Sequence, residues 1–188
     1  MKTPDFAFGG RLALDLTWTL RYRTVAPTEL LARPADLRRW ISLAVAPAHR
    51  AVTPDLLGEA VRLREAIHDC ALATTAGRSP TGADRAVINA WAAQPPPIVR
   101  LDVGGGHTVV LRPDAEAESA LAAVAVDAVH LLGVRDGRLR ICAGPSCSLL
   151  FHDDSRPGRR RWCSADRCGN RVNTTAYRRR RTTTARNP

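Results

Sequence analysis

Residues 142–171 read CAGPSCSLLFHDDSRPGRRRWCSADRCGNR, and they contain four of the chain's five cysteines in the spacing C-x4-C-x15-C-x4-C. Two close pairs around a short spacer are how a chain folds about one tetrahedral zinc ion. Each pair supplies two thiolates from one turn, and the spacer is long enough for a hairpin to return and close the site. Cys142, Cys147, Cys163 and Cys168 are therefore the expected ligands. Four thiolates leave no open coordination position, so the expected role of the single zinc is structural. Its binding folds a segment too small to bury its own core. Two disulfides are the alternative if the protein is exported. His152 lies between the pairs, but with four thiolates present it is expected to be exposed or hydrogen-bonded instead.

Charge points to the same end of the chain. The 28 Lys+Arg and 18 Asp+Glu give a net charge of +10. Residues 1–134 hold 14 basic and 14 acidic groups, whereas residues 135–188 hold 14 basic and 4 acidic groups. A GC-rich genome explains Arg in place of Lys but not this asymmetry. A basic segment of this kind meets a polyanion, and nucleic acid is the commonest, because neutralising phosphates releases counterions. A membrane is not expected as a partner. The basic segment lacks a sustained apolar face, and no apolar run reads as long enough to cross a bilayer. The opening MKTPDFAFGG lacks the apolar core of a signal peptide, so a cytoplasmic location is expected, nucleoid-associated if DNA is bound.

Ahead of the cysteines, residues 1–134 read as helical. Pro34 suits a first helical position, with Leu37, Trp40, Ile41 and Ala44 on one stripe. Thr53-Pro54 starts a second helix carrying Leu56, Ala60, Leu63, Ile67, Cys70 and Ala71, with Gly77 as its stop. Further helices are expected over about 81–93 and 116–132. Between them, Ile98 to Leu111 alternates around Gly104-Gly105-Gly106 as a β-hairpin would. Val134 to Arg138 reads as a hinge, followed by short strands at 139–141 and 148–151. A basic helix over about 171–181 and an irregular tail complete the expectation. The predicted class is mainly α with a small β-hairpin. A helical domain over 1–134 is followed by a small zinc-binding module over 135–188.

The run from Cys142 through Cys168-Gly169-Asn170-Arg171 resembles the CGNR zinc finger, and FAFGGRLALDLTWTL at the start resembles the opening of the ABATE domain. Together the resemblance covers most of the chain. It implies a helical N-terminal domain over 1–134 and a treble-clef-like C-terminal zinc finger over 135–188 in a stress-responsive transcription regulator. Trp18-Thr19 stands where the family usually has Asn-Thr.

Function follows as expectation. Arg159, Arg160 and Arg161 beside the cysteines, Arg171, and Arg178, Arg179, Arg180 and Arg181 are the candidate nucleic-acid contacts. Four consecutive arginines wrap around a helix and clamp phosphates rather than read bases. DNA is the expected partner ahead of RNA. The alternative is a non-catalytic adaptor whose finger binds RNA or protein. A nuclease is not expected, because no histidine follows His152 to complete a catalytic metal site. Nothing in residues 1–134 assembles a catalytic set either, so no enzyme is expected. Asp15, Thr17, Thr19 and Arg23 are the candidate lining of an effector pocket, and the competing account has Asp15 capping a helix.

Overall fold

The longest helix organises the N-terminal part of the computed structural model, which describes residues 4–169. Among the described residues five α-helices run in chain order: α1 (Leu12–Thr17), α2 (Pro34–Ala44), α3 (Pro54–Thr75), α4 (Gly82–Ala92) and α5 (Glu116–Val134), with a π-helical turn at Ala165–Gly169. Three antiparallel strand pairs join them: β1 (Leu20–Arg21) with β2 (Thr28–Glu29), β3 (Ile98–Leu101) with β4 (His107–Val110), and β5 (Leu139–Ile141) with β6 (Leu150–His152).

Helix α3 forms for the reasons its sequence gives. The Thr53 hydroxyl accepts from the Leu56 N–H at 3.2 Å, and Pro54 fills the first helical position. Ala60, Leu63, Ile67, Cys70 and Ala71 are fully buried, as their spacing requires. Gly77 takes φ 66° and ends the helix, while the Arg78 N–H donates to the Ala73 carbonyl at 2.8 Å. Helix α4 is capped by Thr81, whose hydroxyl accepts from the Asp84 N–H at 3.1 Å.

Helix α5 corrects one sequence expectation. It is long and apolar enough, by length and composition, to cross a membrane. Half of its most apolar stretch is buried inside the domain, with Ala120, Leu121, Val124, Ala125 and Ala128 at zero exposure. It packs against α1, α3 and α4, so its apolarity is that of a core helix.

Two elements had no signal in the periodicity. The six-residue α1 is too short to show one, and its N-terminus is held from outside. Asp127 on α5 accepts from the Ala13 N–H at 2.9 Å and pairs with Arg11 at 2.9 Å. The β1–β2 pair is two residues per strand, with Leu20 opposite Glu29. The β3–β4 hairpin falls where its alternation puts it, with Ile98 opposite Val110 and Leu101 opposite His107.

The C-terminal hairpin is shifted from its expected span. β6 begins at Leu150 rather than Ser148, because Ser148 and Leu149 belong to the turn carrying Cys147; the Cys142 N–H donates to the Leu149 carbonyl at 2.9 Å. β5 and β6 lie on α3, and the two parts of the chain exchange side chains. Leu150 of β6 is fully buried in the helical core. Trp18, at the end of α1, is buried among Cys142, Leu149, Phe151, Cys163 and Cys168. At the junction, Arg135 and Gly137 adopt left-handed backbone (φ 49° and 70°).

Candidate metal centre

Each cysteine pair is presented by a turn built for it. Cys142 follows β5, and the chain reverses so that the Cys147 N–H donates to the Gly144 carbonyl at 3.0 Å. Space is tight at Gly144: a Cβ there would stand 3.0 Å from Cys147 Cβ and 3.1 Å from Cys168 Sγ, so either sulfur-bearing side chain would have to give way. The second pair closes through Ser164. Its hydroxyl accepts from the Arg167 N–H at 3.0 Å, and its carbonyl accepts from the N–H groups of Cys168 and Gly169 at 3.3 and 3.2 Å. Gly169 needs no such room, since its nearest neighbour would be Trp162 Cδ1 at an ordinary 3.5 Å. The turns face each other, with the Cys163 N–H pointing at Cys142 Sγ, 3.3 Å away.

The four sulfurs lie within 4.8 Å of one another. Cys147 and Cys163 Sγ are 3.8 Å apart, and Cys163 and Cys168 Sγ are 3.7 Å apart. Four sulfurs at about 2.3 Å from a tetrahedral zinc stand about 3.8 Å from one another. A disulfide needs about 2.05 Å. The donor set therefore fits one zinc ion, and the site is closed by thiolates on every side. Left to themselves the thiols cannot all ionise. S–H donation from Cys147 and then Cys163 holds the Cys142 thiol far below its ordinary value, and those same bonds push Cys147 and Cys163 up. A divalent cation at the centre is what lets all of them give up their protons. Cys142, Cys163 and Cys168 are buried, and Cys147 is the partly open one.

His152 is not a ligand. Its Nδ1 is 2.6 Å from Asp154 and its Nε2 is 3.0 Å from Asp136, so it ties β6 to the segment after α5. Cys70 is fully buried on its α3 stripe, and burial pushes its thiol up to about 11, so it is not a further ligand.

Residues 10–134 match the ABATE family model, described as "Putative stress-induced transcription regulator", and residues 138–181 match the CGNR zinc finger. The chain belongs to the ABATE family. No curated protein matches it. Both descriptions are of regulatory or zinc-binding proteins rather than catalysts.

The ABATE domain holds its CGNR finger through the segment after α1. The Trp18 indole N–H donates to the Leu150 carbonyl at 2.6 Å, and the ring is 3 % exposed. Gly9 makes room for it, because a Cβ there would stand 2.8 Å from Trp18 Cη2. The Arg23 N–H donates to the Ser148 hydroxyl at 3.0 Å. Trp18 is thus one of the contacts between domain and finger, beside Arg23 and the packing of β5 and β6 on α3.

The four candidate pocket residues lie on or beside that segment. Asp15 is buried and accepts from the Gly9 N–H at 2.5 Å; burial, with Asp127 adding to it, pushes its carboxyl up to about 6. The Thr17 and Thr19 hydroxyls donate to the Leu14 and Leu16 carbonyls, each at 2.7 Å. Arg23 pairs with Glu65. Thr19 also accepts from Arg64, a buried arginine that pairs with Glu29 and Glu65. Burial opposes the Arg64 charge, but the two carboxylates outweigh it and raise its pKa. Nothing in the periodicity marks Arg64, since it lies one position from Leu63 on the buried side of α3.

Of the candidate nucleic-acid contacts, Arg171, Arg178, Arg179, Arg180 and Arg181 lie outside the described residues, as does the helix expected over 171–181. Arg159 and Arg161 are exposed, and the Arg161 guanidinium lies 4.9 Å from the Trp162 ring centroid. Arg160 is turned inward. Its Nε donates to the Trp162 carbonyl at 2.9 Å, its Nη2 donates to the Cys163 carbonyl, and its guanidinium covers the Phe151 ring at 4.9 Å.

Proposed function

We propose that this ABATE protein is a DNA-binding transcription regulator in which the zinc finger (135–188) grips DNA and the helical domain (1–134) takes the stress input. The observation that carries the reading is the coincidence of a closed structural zinc centre with the whole of the +10 excess charge in residues 135–188. Closed thiolate sites do no chemistry on substrates. Their use is to hold a small surface in shape, and here that surface is cationic. Phosphate contacts by Arg159, Arg161, Arg171 and Arg178 to Arg181 supply affinity, with Arg160 buttressing the metal turn. The input side is the segment bearing Asp15, Thr17, Thr19 and Arg23. A small molecule taken up there acts on the finger directly, because the same segment carries Trp18. The protein then works in the cytoplasm, on the nucleoid.

Selection from a random-sequence DNA pool by the zinc-loaded protein, at two salt concentrations, tests this. An enriched motif that persists at the higher salt supports a sequence-specific regulator. Binding without enrichment that vanishes as salt rises leaves electrostatic attraction alone and moves the reading to an adaptor for RNA or protein.

A further inference from the structure

Between the two metal turns the chain makes a loop, residues 153–161, that is anchored almost atom by atom. Its centre is Asp153, whose side chain has no exposed surface. That carboxylate accepts from the Ser155 hydroxyl at 2.6 Å, the Ser155 N–H at 3.1 Å and the Arg160 N–H at 2.8 Å, with Arg140 Nε 3.6 Å away. The hydroxyl first, then the two backbone N–H groups, hold it below the usual carboxylate range. The loop's carbonyls are held from the other side. Arg138 Nη1 donates to the Asp153 and Ser155 carbonyls, both at 2.8 Å, and Arg140 Nη2 donates to the Gly158 carbonyl at 2.7 Å. Gly158 supplies the left-handed turn at φ 58°. The Arg161 carbonyl accepts from the Ala143 N–H at 2.9 Å, which fixes the end of the loop to the first metal turn.

The arginines of this region therefore divide. Arg138, Arg140 and Arg160 hold carbonyls of the loop and of the second metal turn, although the Arg140 side chain stays 42 % exposed. Arg156, Arg159 and Arg161 face solvent, and none of them has a carboxylate partner among the described residues. A loop with no other purpose has little reason to spend a fully buried carboxylate and two arginines on holding three unpaired cations in place. Fixing the backbone in advance removes the ordering cost that a floppy basic loop bears on binding. Guanidinium forks suit phosphodiester oxygens.

We propose that the Asp153-centred loop is a preorganised docking element for the DNA phosphate backbone, in which Arg156, Arg159 and Arg161 make the contacts and Asp153 is the positioning residue. It rests on the DNA-binding reading above and adds Arg156 to the contacts, with Asp153 holding them in position.

The experiment uses the full zinc-loaded chain and a duplex DNA probe, with affinity measured across a salt series. Arg156→Ala/Arg159→Ala/Arg161→Ala touches only exposed side chains and should keep its zinc. Each lost phosphate contact flattens the slope of log K against log salt by about 0.9, so three should remove about 2.7. The triple Lys variant should restore most of that slope. Arg160→Ala should loosen the metal site and leave the slope unchanged when zinc is in excess. Asp153→Asn separates positioning from charge. It removes one negative charge, so electrostatics alone strengthens binding, whereas loss of the anchored loop weakens it. An unchanged slope in the zinc-loaded triple Ala variant overturns the proposal and leaves the broader reading standing. A wild-type chain that binds RNA but no duplex DNA at any salt overturns both.

Discussion

Replacing Trp18 by Ala tests whether the finger depends on the helical domain for its own core. Trp18 belongs to the N-terminal domain by sequence but is 3 % exposed among the metal cysteines. A buried tryptophan removes roughly 200 Å2 from water, which at about 25 cal/mol per Å2 is about 5 kcal/mol. Alanine keeps a little of this, and measured Trp-to-Ala costs run at about 3–5 kcal/mol. The substitution also strips a donor from the Leu150 carbonyl, 2.6 Å from the indole nitrogen, for about 1 kcal/mol more. The expected loss is therefore about 4–6 kcal/mol, shared between global stability and the seating of the finger. Every 1.4 kcal/mol is tenfold, so faster zinc transfer to a chromophoric chelator has a ceiling of roughly ten-thousandfold. Urea unfolding at fixed zinc reads the first part, and the transfer rate reads the second. Trp18→Phe keeps most of the area and loses the N–H, and it should cost about 1–2 kcal/mol. A Trp18→Ala protein that loses less than 1 kcal/mol and releases zinc at the wild-type rate would refute the reasoning, because the finger would then hold its metal without its neighbour.

Three further outcomes follow from the same geometry. Stripping zinc with a chelator should leave far-ultraviolet helicity largely intact, since α2 to α5 share a core without the four metal cysteines, while the fluorescence of Trp18 shifts to the red; concerted loss of all helix would argue that the domain cannot stand without its metal. Gly144→Ala should weaken zinc binding by tenfold or more in a competition titration, because the new Cβ meets Cys147 Cβ at 3.0 Å and Cys168 Sγ at 3.1 Å; wild-type affinity would mean that the turn yields cheaply. The Asp15 carboxyl titrates near 6 in the folded chain against 3.8 ordinarily, so the fold favours its protonated form. Its contribution is fully present below about pH 4 and is lost as pH rises through about 6, a change of up to about 3 kcal/mol. Asp15→Asn should flatten that part of the stability profile, and an unaltered profile in the variant would mean that the carboxyl is ionised without strain.

Much of this was legible in the sequence, for physical reasons that also mark where legibility stops. Four helices declared themselves because a one-sided apolar stripe and a capping residue are local facts: Thr53 and Thr81 cap the helices they precede. The metal set was legible because zinc needs few ligands at close spacing, and the spacing is written in the chain. Helix α1 was not, since six residues carry too little period and its N-terminus is held by Asp127 from more than a hundred positions away. The role of Trp18 was hidden for the same reason. Its departure from the family pattern was visible as a letter, but nothing local says that the ring is covered by a finger that follows 120 residues later. The apolar run of α5 shows the converse error, for the composition of a membrane span and of a core helix is the same until packing separates them.

Arginine is where counting and structure part most clearly. A sequence charge count treats every guanidinium of residues 135–188 as available to a polyanion. Arg138, Arg140 and Arg160 instead close hydrogen bonds to the carbonyls of their own finger. Arg64 does the corresponding work in the helical domain, buried between Glu29 and Glu65. The charge of such a group still contributes to the long-range field that draws a polyanion in, but the donors it gives to carbonyls are not free for a phosphate. Attraction and contact are therefore separate properties of the same composition. The first can be read from the sequence as a net charge. The second requires knowing which arginines already have an oxygen, and in this finger that is decided by a buried aspartate that charge counting scores only as a loss.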